Sequence, residues 1–109
     1  MPTSLKVLGQ SKPAATTLTD LYTVPALTST TISTIMVCNQ SATATSFRIS
    51  VAPAGAADTA AQYLYYDVAI AGNDTFAATL GITLSTTDIL RIYNTAATLS
   101  FVAFGAETT

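Results

Sequence analysis

Apolar and polar residues alternate along most of this chain, which constrains it to form β-strands rather than helices. In the segment 47–51, three apolar residues alternate with two polar ones, and the same period of two recurs in 64–70, 76–84, 89–93 and 99–104. Apolar runs at 5–10, 18–24 and 31–39 complete the series. A period of two places successive side chains on opposite faces of a strand. The pattern predicts an all-β fold, a single β-sandwich of about eight antiparallel strands in immunoglobulin-like or jelly-roll order.

A chain of 109 residues has the length of one domain. Pro25-Ala26, Pro53-Ala54-Gly55 and Gly72-Asn73-Asp74 separate the apolar runs and are typical of turns. Residues 1–16, which include Lys12-Pro13, are expected to be an extended or partly ordered N-terminal segment. Residues 17–109 are expected to form the sandwich.

The surface of such a domain must be built with few charges. Hydrophobic residues make up 50% of the chain and charged residues 9%, against a usual charged share of about 25%. Thr, Ser, Ala and backbone therefore form much of the exterior. Such a surface is expected where copies of the same chain or a partner protein cover it.

The charge distribution disfavours nucleic acid and anionic membranes as partners. The formal net charge is −2, and the four basic residues lie far apart at Lys6, Lys12, Arg48 and Arg91. Phosphate binding requires clustered Lys and Arg. No apolar run approaches the ~18 residues of a membrane span, and the N-terminus lacks the apolar stretch of a secretory signal. We therefore expect a soluble protein made in the cytoplasm.

Residues that carry chemistry are scarce. The chain has no histidine, a single cysteine, and five glycines that never fall in a phosphate-binding spacing. We therefore expect no enzymatic activity, and hence no catalytic residues, cofactor, metal or small-molecule substrate. A small enzyme that uses two carboxylates is the remaining alternative. Against it, Asp20, Asp74 and Asp88 stand at turns or strand starts, where Asp usually caps backbone N–H groups.

Tyr63, Tyr65 and Tyr66 form the one aromatic cluster of the sequence. If Leu64 and Tyr66 point into the core, alternation places Tyr63 and Tyr65 on the outer face, where exposed tyrosines are favoured interface anchors. Packing against the core or solvent, and a platform for a carbohydrate, are the alternatives. A sugar site would usually contain Trp, which this chain lacks.

Three sequence pieces carry a resemblance to a known group of proteins. They are Y-T-V-P-A and I-S-T-I-x-V-C-N, followed by F-R-I-x-V, all within 21–51. Q-Y-L-Y-Y-D, N-D-T-F, I-T-L and F-G-A-E continue the pattern in the C-terminal half. The chain resembles small structural virion proteins of tailed bacteriophages, including those of cyanobacterial phages, over roughly residues 18–107.

The resemblance implies a β-sandwich that is used repetitively on a virion. The small size then favours a capsid decoration, or cement, protein that binds the assembled lattice of the major capsid protein as a homotrimer. Tyr63, Tyr65, Arg48, Leu5 and Val7 are the expected interface residues. A tail, baseplate or fibre module that binds a neighbouring tail protein or a host receptor is the alternative.

Overall fold

Eight antiparallel strands form two four-stranded sheets in the computed structural model of the chain, which describes residues 2–109. The strands are β1 (Thr3–Ser11), β2 (Thr17–Thr23), β3 (Ser29–Asn39), β4 (Thr45–Ala52), β5 (Tyr63–Ile70), β6 (Thr75–Leu84), β7 (Ile89–Asn94) and β8 (Leu99–Thr108). The first sheet has the order β1-β8-β3-β6 and the second β2-β7-β4-β5. The predicted all-β sandwich is confirmed.

The strand order is that of a jelly roll. β1 pairs with β8, β2 with β7, β3 with β6, and β4 with β5, as in one long hairpin. Rolling this hairpin brings β3 beside β8 and β4 beside β7. Consecutive strands therefore lie in different sheets, except for β4 and β5. An immunoglobulin-like sandwich instead places its first two strands side by side. Of the two expected strand orders, the structure therefore has the jelly roll.

Residues 1–16, which the sequence separates from the sandwich, contribute its first strand. β1 pairs with β8 from Thr3, opposite Thr108, to Ser11, opposite Phe101. Near its end β1 approaches the second sheet, where a Cβ atom on Gly9 would lie 2.3 Å from the Leu21 carbonyl oxygen. In the part of the chain that is described, the sandwich thus begins at Thr3 rather than at residue 17. Met1, the first residue of the expected segment, lies outside the described residues.

An aromatic cluster joins the two sheets across the core. Phe47 of the second sheet is fully buried, and its ring centroid lies 5.1 Å from that of Phe76 and 6.3 Å from that of Phe101, both in the first sheet. Aromatic rings bury large areas, and tilted or edge-to-face contacts are their favoured geometry. Branched aliphatic residues fill the remaining space, with Ile32, Ile35 and Val37 from β3 facing Ile49, Leu90 and Ile92.

A polar chain joins the sheets at one end of the core. The Tyr22 hydroxyl donates a hydrogen bond to the Glu107 carboxylate and lies 2.7 Å from the Thr30 hydroxyl. Because the single hydroxyl hydrogen of Tyr22 is used for Glu107, the Thr30 hydroxyl is the donor in the second hydrogen bond. Lys6 Nζ lies 2.6 Å from the other Glu107 carboxylate oxygen. The two ends of this chain lie in the first sheet, while Tyr22 comes from β2 of the second. Removing the Tyr22 hydroxyl would take a hydrogen bond from both Thr30 and Glu107.

The same contacts change the acidity of the two groups. Burial, reinforced by the neighbouring Glu107 carboxylate, raises the pKa of Tyr22 from 10.0 to about 12. The hydrogen bonds from Lys6 and Tyr22 lower the pKa of Glu107 below its ordinary value of 4.5. Folding therefore favours the neutral phenol and the ionised carboxylate.

We expect the substitution Tyr22→Phe to lower the free energy of unfolding by about 1–3 kcal/mol at neutral pH, because Glu107 and Thr30 lose a buried partner. The native protein should also lose stability as the pH rises from 10 to about 12, since the unfolded phenol ionises first. Urea unfolding at several pH values measures both effects. The Tyr22→Phe variant should show a weaker alkaline loss. An equal loss in both proteins would contradict the assignment to Tyr22.

Candidate interaction surfaces

A β-bulge in β5 determines which side chains reach the outer face of the second sheet. Phe47 pairs with Val68 and Ile49 with Tyr65, so Tyr66 and Asp67 together stand opposite Arg48. Asp67 adopts a left-handed backbone with φ of 51°, a conformation that Asp tolerates better than most residues. The extra residue brings both an aromatic ring and a carboxylate to the position of Arg48, as bulges commonly re-aim side chains.

Arg48 lies between two tyrosine rings on this outer face. Its guanidinium carbon is 4.1 Å from the centroid of Tyr66 and 4.5 Å from that of Tyr93. Arg48 Nε donates to Asp67 Oδ1 at 2.7 Å, and this hydrogen bond raises the already high pKa of Arg48 further. Stacking and the ion pair together hold the side chain in one orientation. We call Arg48, Tyr63, Tyr66 and Tyr93 the aromatic face.

Tyr63 and Tyr65, both expected on the outer face, lie on different sides of the sheet. Tyr63 stands on the outer face opposite Ser50, donates to Asp58 Oδ2 at 2.7 Å, and contacts the Tyr66 ring edge-on at 5.2 Å. Burial, followed by the bond to Asp58, raises its pKa. Tyr65 instead packs against Phe76 of the core at 5.3 Å.

The expected orientation of Tyr65 is therefore wrong, and so is that of its neighbours. Leu64 and Tyr66, expected in the core, are 46% and 58% exposed. Strict alternation from Val68 and Ile70 would bury both of them. Because the bulge adds one residue, the side chains from Tyr66 towards the N-terminus of β5 point to the opposite faces from those that alternation predicts.

The segment between β4 and β5 covers part of the same outer face. It contains two 3₁₀ turns, Pro53–Gly55 and Ala60–Gln62. Arg91 holds it by donating to the Ala56 carbonyl at 2.7 Å while also pairing with Asp20 at 3.0 Å. Ser50 beneath it is fully buried. On the part of this face that the segment leaves open, Tyr66 and Leu18, which pairs with Tyr93, are both exposed.

The outer face of the first sheet is more apolar and more open. Val7 stands opposite Phe104 and Leu5 opposite Ala106. Leu5 is 82% exposed and Val7 47%, and Phe104 is exposed as well. These four residues, named the apolar strip below, line a shallow groove together with Thr31 and Ser33. Both N-terminal residues that were expected at an interface thus lie on one surface with a phenylalanine from the C-terminal strand.

Arg48 and Tyr63 lie in the aromatic face, Leu5 and Val7 in the apolar strip, and Tyr65 in neither. Tyr93 and Phe104 were not predicted from the sequence as surface residues of these sites. Both alternate with buried neighbours, Ile92 and Ala103, and this alternation could have indicated their outward orientation.

Among residues 2–109 no group of three or more His, Cys, Asp or Glu is placed to hold a metal ion. No helix in this range is long and apolar enough to cross a membrane.

Comparison of the chain with models of protein families and with curated protein sequences found no match.

The left-handed conformation of Asp67 leads to a prediction that separates backbone from side-chain effects. We expect Asp67→Ala to destabilise the protein by about 1 kcal/mol more than Asp67→Gly, because a positive φ is sterically unfavourable for alanine and not for glycine. Both substitutions remove the ion pair with Arg48. Urea unfolding of the two variants and the native chain provides the comparison. Equal stability of the two variants would show that no left-handed residue is required there.

Proposed function

We propose that this protein is a capsid decoration protein of a tailed bacteriophage, which binds the assembled lattice of the major capsid protein as a homotrimer and stabilises it. The observation that carries the proposal is the apolar strip. Leu5, Val7 and Phe104 expose large apolar groups side by side on a regular sheet, where a single scattered residue would need no explanation. The resemblance to virion proteins supplies the kind of partner.

The charge pattern supports binding to a protein surface over binding to a polyanion. Lys6, Arg48 and Arg91 each form a salt bridge with an acidic residue of the same chain. Their charges are therefore largely neutralised before any partner arrives. Nucleic-acid binding relies on basic groups that replace counterions on phosphates. A neutral, apolar strip instead fits a protein surface with apolar side chains of its own.

A decoration protein of this kind acts by mass action. A ligand that binds the assembled lattice, and not the free capsid subunit, shifts the equilibrium towards the lattice. Many copies of a modest contact are sufficient for this effect, because each contact adds to the stability of the shell. No reactive group is required for the function.

A tail, baseplate or fibre module is the second candidate, and the aromatic face favours it. Tyr and Arg are the residues most enriched at energetically important interface positions. The side chain of Arg48 is already oriented by Tyr66, Tyr93 and Asp67, so little conformational entropy would be lost on binding. In this role the partner would be a neighbouring tail protein or a host receptor.

The copy number of the chain in purified particles of the encoding phage separates the two candidates. Quantitative mass spectrometry against the major capsid protein measures it. We expect a number of copies comparable to that of the capsid protein, or three copies for each three-fold site. A handful of copies per particle would overturn the capsid assignment and favour the tail.

The role of the apolar strip is tested with capsids assembled without this chain. We expect Phe104→Lys to weaken binding to such capsids by about tenfold or more, since the charge must be desolvated in the contact. Leu27→Lys is the matched control, because Leu27 is 90% exposed and lies outside the strip. Circular dichroism confirms the fold of both variants. Equal loss of binding in both, or in neither, would exclude the strip as the docking surface.

A further inference from the structure

The N-terminal half of β1 is an open sheet edge. β1 is the terminal strand of the first sheet, with β8 on one side and no described strand on the other. Thr3–Val7 pairs regularly with β8, and the only shift in register comes after Val7. All five residues of this segment are exposed. Beyond it, the register shifts, and Gly9 lies against the backbone of Leu21 in β2.

The other three edges carry features that obstruct pairing. β2 has a register shift at Leu21 and the charged Asp20 beside it. β5 has two register shifts and the left-handed Asp67. β6 is interrupted by left-handed Gly81, and its regular half exposes only the small side chains of Thr75, Ala77 and Thr79. Bulges and charges of this kind protect edge strands from association. The edge at Thr3–Val7 has no bulge, and Lys6 is its one charged residue.

The single charge on this edge is neutralised within the chain. Lys6 reaches Glu107 Oε1 at 2.6 Å, and Glu107 is itself fixed by the Tyr22 hydroxyl. A lysine on an edge strand usually discourages pairing. Here its ammonium group is bound to the same sheet, while Leu5 and Val7 present apolar side chains on the opposite face of the strand.

We propose that Thr3–Val7 pairs antiparallel with the same segment of a second copy, with Leu5 opposite Leu5 of that copy. Antiparallel pairing of one strand with itself satisfies the free N–H and C=O groups of both edges. Centring the contact on Leu5 uses all five exposed residues. Lys6 then faces Ser4 of the other copy, so the two lysines do not stand directly opposite each other.

The contact is two-fold, and it does not depend on the proposed function. It joins the first sheets of two copies into one eight-stranded sheet, and two-fold pairs are the commonest oligomers. The area of a five-residue edge is small beside the roughly 1,200–2,000 Å² of a stable interface. In free solution we therefore expect a dimer whose population rises with protein concentration. The trimer of the proposed function is a separate assembly, formed on the capsid lattice.

Sedimentation equilibrium of the full chain over a range of concentrations tests the proposal. The native chain should reach the mass of two chains. Leu5→Lys should keep the mass of one, because it places two charges opposite each other at the centre. Leu80→Lys is the matched control: it also replaces an exposed leucine on an edge strand, but in β6, and should dimerise normally. A single chain at every concentration, or an oligomer that Leu5→Lys leaves unchanged, would overturn the proposal.

Oxidative cross-linking then tests the register. In a background with Cys38→Ser, which removes the only native thiol, Leu5→Cys should give a covalent dimer on a non-reducing gel. Directly opposed residues have Cβ atoms about 4.5–5.5 Å apart, close to disulfide geometry. Val7→Cys should cross-link poorly, since Val7 faces Thr3 and lies about four residues from its counterpart, or roughly 13 Å. Equal cross-linking at both positions would exclude this pairing.

Discussion

The register between neighbouring strands determines every surface of this protein, because a shift of one residue exchanges the core and solvent faces of a strand. The register changes at a few bulges. In β5 the bulge at Tyr66 and Asp67 turns Tyr65 towards Phe76 and brings Tyr66 to Arg48. In the first sheet, shifts in β1 and β3 both occur beside Phe104, which projects outward there. Both candidate surfaces therefore lie where the regular alternation is interrupted.

The few charges of the chain are used mostly within the fold, and this shapes the two outer faces differently. On the second sheet, Arg48 and Arg91 bind Asp67, Asp20 and a backbone carbonyl, so both arginines of that face are already paired. On the first sheet, Lys6 is drawn to Glu107, and the hydroxyl groups of Thr31 and Ser33 border the apolar strip. A partner of the first sheet has few polar groups to desolvate. The cost of binding is correspondingly lower there than on the aromatic face.

Local patterns were sufficient to predict the strands, but not their arrangement. Phe47 and Ile49 alternate with Arg48 in the sequence, and the structure buries the first two as this pattern indicates. The jelly-roll order depends on pairs such as β1 with β8, which join opposite ends of the chain and leave no local signal. The orientation of Tyr65 could not be predicted either, because the bulge arises from the pairing of β5 with β4. The contact of Tyr22 with Glu107 spans 85 residues and was equally invisible.

The open edge of β1 and the apolar strip do not compete for a partner. Pairing at Thr3–Val7 extends the first sheet within its own plane, whereas Leu5, Val7 and Phe104 project from one face of that plane. A two-fold axis perpendicular to the sheet would place the strips of two copies on the same side. Two linked copies of a weak contact bind a repetitive surface far more tightly than one, provided that both can engage at once. Edge pairing would thus convert a small apolar strip on a weakly charged domain into a surface suited to a regular lattice.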